Sequence, residues 1–208
     1  MKEINIESWN RKEHYEFFST FKSPHFGFTA NVNCTKAYKL AKENHISFFA
    51  YYFHKSIIAA NAIREFKLRI IDHKVYELDQ NHAGSTIARD DHTFAFSYID
   101  FDEDFDVFNS RLQKEIEAVK NSTGLRLDPD KNNVEYIRYT TIPWVSFTQI
   151  IHPSNIDNTD SVPRISFGKF FKENGALLMP VSVEGHHGLM DGYHISEFFR
   201  IFEELLNS

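Results

Sequence analysis

Residues 176–206 read ALLMPVSVEGHHGLMDGYHISEFFRIFEELL, and this stretch decides the fold. Its first ten residues alternate as a half-buried strand should. Its last third sets Ile195, Phe198, Phe199, Phe202, Leu205 and Leu206 on one face of a helix that begins near Asp191. Between them lies HHGLMDG, where Gly185, Gly188 and Gly192 free the backbone to turn sharply. A loop of this kind holds side chains at the end of a sheet, a common place for functional groups.

Working outward, strand-like patterns occupy residues 26–34, 66–71, 74–79, 93–101, 136–142, 146–152 (SFTQIIH) and 164–171 (RISFGKFF). A buried helix is expected from about Ser47 to Ala62, with Ser47 as its cap. Val107, Phe108, Leu112, Ile116 and Val119 recur at helical spacing in an amphipathic helix, and Gly124 follows as a stop. HPSNIDNTDSVPR (152–164) reads as a long surface loop. Strands dominate the middle, with helices before and after. The expectation is an α+β fold, a two-layer sandwich in which helices cover one face of a mixed β-sheet, formed as a single domain over residues 1–208.

Composition narrows the function classes. The chain has 23 basic and 29 acidic residues, a net charge of −6, and no run of Lys and Arg to neutralise phosphates, which argues against nucleic acid. Aromatics make up 15%, with 21 Phe, so the core should be flat and bulky. The lone Cys34 can close no intrachain disulfide and belongs to packing. The longest nearly apolar run, residues 46–60, is interrupted by His54, Lys55 and Ser56 and falls short of the ~20 residues a membrane span needs. With no leader-like start, a soluble cytoplasmic protein is expected.

HHGLMDG admits three readings. His187, Asp191 and His194 would share a helix face and could hold a metal, but Gly188 and Gly192 disfavour a continuous helix there. The histidines equally fit a polar strand-to-helix turn, with Asp191 as an ordinary cap. Third, one imidazole can serve as a general base, since its unperturbed pKa of about 6.5 suits proton transfer near neutrality. Residue chemistry alone leaves these open.

The ordered motifs go further. HHGLMDG fits the HHxxxDG signature of CoA-dependent acyltransferases, and from residue 9 to 206 the chain resembles the chloramphenicol acetyltransferase family. WNRKEHYEFF (9–18), IPWVSFTQ (142–149), PRISFGKF (163–170) and LLMPVSVEGHHGLMDGYHISEF (177–198) are similar to that family's motifs and occur in its order. The resemblance implies that His187 is the base, taking the proton of an acceptor hydroxyl as it attacks the thioester of acetyl-CoA within a ternary complex. It implies that Asp191 pairs with Arg11 as a brace, and that Thr140, where a Ser is usual, donates to the oxyanion. Ser166 stands where a Thr thought to hold a nearby water is usual, and Lys169 and Phe170 are placed for CoA. No metal is implied. The family's assembly, a homotrimer with interfacial active sites, is expected too.

The acceptor is the looser inference, because fold and base do not fix it. Phe18 stands where Tyr is common, Lys22 and Pro24 where apolar residues or Cys are common, and Ser85-Thr86-Ile87 replaces T-V-F, while Phe94 is retained to stack on an aromatic acceptor. Chloramphenicol leads. Another small hydroxyl or thiol acceptor is the alternative, and a non-catalytic ligand-binding trimer is a third possibility.

Overall fold

A computed structural model describes residues 1–127, 133–153 and 160–208. In chain order the elements are β1 (Lys2–Glu3), α1 (Lys12–Phe18), β2 (His25–Asn33), α2 (Thr35–Glu43), α3 (Phe48–Asn61), β3 (Leu68–Ile71) and β4 (Lys74–Glu77). There follow β5 (His82–Ala88), β6 (Phe94–Ile99), α4 (Phe105–Lys120), β7 (Tyr136–Ile142), β8 (Arg164–Gly168), β9 (Phe171–Glu173), β10 (Ala176–His186) and α5 (Gly192–Asn207). Among the described residues the main sheet runs β2-β10-β8-β7-β5-β6, with β9 on the start of β10. β7 is parallel to β5 and β8, and the other pairs are antiparallel, so the sheet is mixed as expected.

Helices α2 to α5 lie on one side of it. Ile165, Phe167, Val181 and Val183 turn toward them and join Phe53, Phe108, Phe198 and Phe202 in the core. The local chemistry explains each helix start. Ser47 caps α3 by accepting from Ala50 N at 3.3 Å, and Asp104 caps α4 by accepting from Asp106 N and Val107 N. Asp191 caps α5 in a reciprocal box with His194.

A three-stranded sheet, β1-β4-β3, encloses a second small core of Ile4, Trp9, Leu68, Ile70, Val75 and Leu189. Leu189 comes from HHGLMDG, so this core pins the N-terminal segment against the loop at the far end of the chain.

Three expectations are corrected. Residues 146–152 alternate like a strand but form none; bounded by Pro143 and Pro153, they lie against the sheet instead, with Phe147 beside Gly168 and His152 on Ser166. RISFGKFF breaks at Lys169 and Phe170 into β8 and β9. Gly185, Gly188 and Gly192 do not serve as left-handed turns, since the positive-φ glycines are Gly124 and Gly175. Gly185 is needed for space: a Cβ there would collide with the Met190 sulfur. Of the loop expected at 152–164, residues 154–159 lie outside the described residues.

Candidate active site

The loop after β10 is braced from every side. His187 N donates to Pro24 O at 2.9 Å, and Leu189 N and Met190 N both donate to His186 O. Arg11, at 7% exposure, donates through Nη1 to Asp191 Oδ2 at 2.7 Å and through Nη2 to His187 O at 3.2 Å. One guanidinium thus ties the aspartate to the histidine backbone across 180 residues of sequence. Burial raises the Asp191 carboxyl pKa, but the Arg11 hydrogen bond and neighbouring positive charge outweigh it, leaving the group below its ordinary value.

The His187 ring is held between two aromatic faces, Phe18 at 4.1 Å and Phe26 at 4.2 Å between centroids. Its Nδ1 lies 3.3 Å from Met190 O. A carbonyl only accepts, so the contact places the hydrogen on Nδ1 and leaves Nε2 with its lone pair. That nitrogen can take a proton. The other histidines are occupied: His186 Nδ1 accepts from Gly188 N, and His194 Nδ1 accepts from Asp191 N, both at 3.1 Å. Among the described residues no cluster of His, Cys, Asp or Glu suits a metal ion.

The remaining sequence candidates fall on two sides of the sheet. Thr140 on β7, Ser166 on β8 and Ser182 on β10 share one register row, and alternation points them away from the helices. Phe94 is 47% exposed at the start of β6. Ser85 points the other way, 3% exposed under the helices in register with the core residue Tyr139. On the helix side Lys169 and Phe170 line a cavity of about 560 Å³ with Tyr38, Phe48, Tyr52 and Trp144. Lys42 stands at its wall over Tyr38, 5.4 Å from the ring centre. Thr141 faces this cavity, next in sequence to Thr140 on the opposite face.

Sequence reasoning missed His152 and Glu184. His152 Nε2 is 2.9 Å from Ser166 Oγ, and its Nδ1 is 2.8 Å from Glu184 Oε1. Arg164 contacts Glu184 at 3.3 Å and Asp160 at 2.8 Å, and Arg138 reaches Asp160 at 2.7 Å. The available signal was Glu184 itself, a carboxylate in an otherwise apolar stretch of β10. His152 carries no local signal.

Distances decide what can meet. His187 lies five residues beyond Ser182 and two strands from Thr140. At roughly 3.3 Å per residue and 4.8 Å per strand the separation is about 19 Å, beyond side-chain reach within one chain.

A sequence profile of the family described as Chloramphenicol acetyltransferase matches residues 1–203. The chain belongs to that family. It is an acyltransferase. Relatives include the chloramphenicol acetyltransferase of Clostridium perfringens, 29% identical over 99% of this chain and 94% of that one. Chloramphenicol acetyltransferase 3 of Escherichia coli is 27% identical over 99% and 96%. A solved chloramphenicol acetyltransferase superposes with a TM-score of 0.92 at 30% identity, covering 99% of both chains. A probable dihydrolipoamide acetyltransferase from Listeria monocytogenes shares the fold, with a TM-score of 0.69 at 13% identity over 100% of this chain and 94% of that one. The α+β, CoA-dependent acyltransferase-like architecture is therefore established. No helix among the described residues is long and apolar enough to cross a membrane.

Proposed function

We propose that the chain transfers the acetyl group of acetyl-CoA to a hydroxyl of chloramphenicol, directly and within a ternary complex, in the cytoplasm. The carrying observation is the His187 ring, stacked between Phe18 and Phe26 with its Nδ1 on a carbonyl and its Nε2 left to accept. Nε2 takes the proton of the attacking hydroxyl and returns it to the departing CoA sulfur. Thr140 donates to the oxyanion of the tetrahedral intermediate. Asp191 and Arg11 hold the loop and pass no proton.

The ~19 Å between His187 and Thr140 supports a homotrimer in which the base of one subunit faces the open sheet of the next. The nucleotide end of the acyl donor fits the helix-side cavity, whose aromatic walls suit the pantetheine arm and whose Lys42 and Lys169 suit phosphates, while its thioester has to reach the opposite face, to which Thr140 points. Phe94 supplies an aromatic wall for the acceptor on the other face, with Phe18 beside the base.

A second reading changes only the acceptor. The charged chain from Arg138 to His152 on the open face favours a more polar hydroxyl compound than chloramphenicol. Spectrophotometric CoA release tests both. Turnover with chloramphenicol, lost in His187→Ala, is the expected result. Silence with chloramphenicol beside turnover of another alcohol would transfer the assignment to the second reading.

A further inference from the structure

Leu189 and Met190 follow each other in the loop, yet their side chains enter different cores. Leu189 is 0% exposed in the small core beside the three-stranded sheet, and Met190 is 1% exposed in the main core under the helices. Their backbone N–H groups donate to one carbonyl, His186 O, at 2.9 and 3.1 Å. The backbone here is therefore held from both flanks. The next carbonyl along it, Met190 O, lies 3.3 Å from Nδ1 of His187.

Met190 reaches its place by folding back over β10, the strand the chain has just left. A Cβ added at Gly185 would stand 2.9 Å from Met190 Cγ and 3.1 Å from Cε, and closer still to Sδ. These three nearest atoms all belong to Met190, so the space that Gly185 leaves is filled by this one side chain. Gly185 also pairs across the ladder with Phe26, whose ring stacks on His187.

Stacking between Phe18 and Phe26 fixes the plane of the His187 ring and nothing more. A ring turned over by 180° in that plane stacks equally well, and stacking does not choose which nitrogen carries the hydrogen. An acceptor at one edge of the ring decides both. Met190 O is that acceptor.

We propose that Met190 is a positioning residue for acyl transfer: its thioether, seated on Gly185, sets the carbonyl that selects the orientation and tautomer of His187 and leaves Nε2 to accept. The proposal rests on the reading of His187 as base. Met190 is buried on its other sides, so a methyl group at position 185 displaces the residue, and its carbonyl moves with it.

The experiment measures kcat and KM for acetyl-CoA separately by CoA release, with chloramphenicol or with whichever alcohol turns over. Beside it, ¹⁵N-histidine NMR at about pH 8.5, above the ordinary imidazole value, reads the His187 ring, assigned by comparison with His187→Ala. Gly185→Ala is expected to lower kcat about 10- to 100-fold at unchanged KM. It is also expected to spread the His187 hydrogen over both ring nitrogens, where wild type carries it on Nδ1. Met190→Ala, the second variant in case Gly185→Ala fails to fold, lowers kcat at unchanged KM by unseating the same carbonyl. The double variant Gly185→Ala/Met190→Ala is expected to be no slower than Met190→Ala alone, because the added methyl group then meets no thioether. Two losses that multiply, a Gly185→Ala enzyme with full kcat, or a wild-type His187 with its hydrogen on Nε2 overturns the proposal. His187→Ala separates the two levels: full activity there removes the base reading, and an inactive His187→Ala beside an indifferent Gly185→Ala removes this proposal alone.

Discussion

The two faces of the main sheet divide the labour of the molecule. On the helix side Phe53, Phe167, Phe198 and Phe202 are 0% exposed in a dry aromatic core. On the other side Arg138, Asp160, Arg164, Glu184, His152 and Ser166 form one chain of polar contacts. The same strands build both: on β8, Phe167 is core and Ser166, one residue earlier, belongs to the polar chain. Strand alternation lets stability and chemistry be set on opposite faces, provided something covers the polar one. Residues 143–153 supply part of that cover; in the proposed trimer, a neighbouring subunit supplies more.

If this division holds, mutations on each side should move different observables. His187→Ala should lower kcat by about 10²- to 10⁴-fold while the melting temperature shifts little, checked by CoA release and thermal denaturation. Phe167→Ala should do the reverse, destabilising by about 3–5 kcal/mol in urea unfolding through the cavity it leaves beside Tyr139 and Phe202. Arg11→Met blurs the division, because one guanidinium serves both ends of the chain. A loss of about 2 kcal/mol is expected in urea unfolding, less than for a fully buried pair because Asp191 is 34% exposed, together with a fall in kcat at unchanged KM for acetyl-CoA.

The smallest effect concerns pH. His54 on the helix side and His25 on the open side are both held below the usual imidazole value, first by burial and then by nearby charge. The folded state therefore binds fewer protons than the unfolded one once pH drops below about 6.5. Their stability contribution is full above that value and is lost as pH falls through the native values. His54→Phe should flatten the slope of urea midpoint against pH between 6.5 and 5. An unchanged slope would assign the effect to His25.

Legibility in the sequence followed the range of the interactions. β10, the turn and α5 were readable because period-two alternation, two histidines and a capping aspartate are local signals. α3 and α4 announced themselves through Ser47 and the apolar stripe ending before Gly124. β5 is not legible as a strand, since its Ala83, Gly84 and Ser85 carry little β-propensity and become a strand by pairing with β6 and β7. Residues 146–152 misled for the opposite reason, alternating without a partner to pair with. In the candidate site the Arg11–Asp191 contact was reached only through the family resemblance. The His152 contacts join residues 14 and 32 positions apart, and no local pattern encodes them.

β10 lies between β2 and β8, although it is the last strand to leave the ribosome. Until residues 176–186 have been synthesised, β2 lacks the partner it pairs with along its whole length, and β8 lacks one of its two. The sheet is therefore completed by insertion between two strands already made, β2 and β8, and not by growth at an edge. Such a non-local closure is slow and leaves two open strand edges on every nascent chain. A transcript truncated before residue 176 would yield more than an inactive enzyme: it would yield a sticky, incomplete sheet that the cell has to clear.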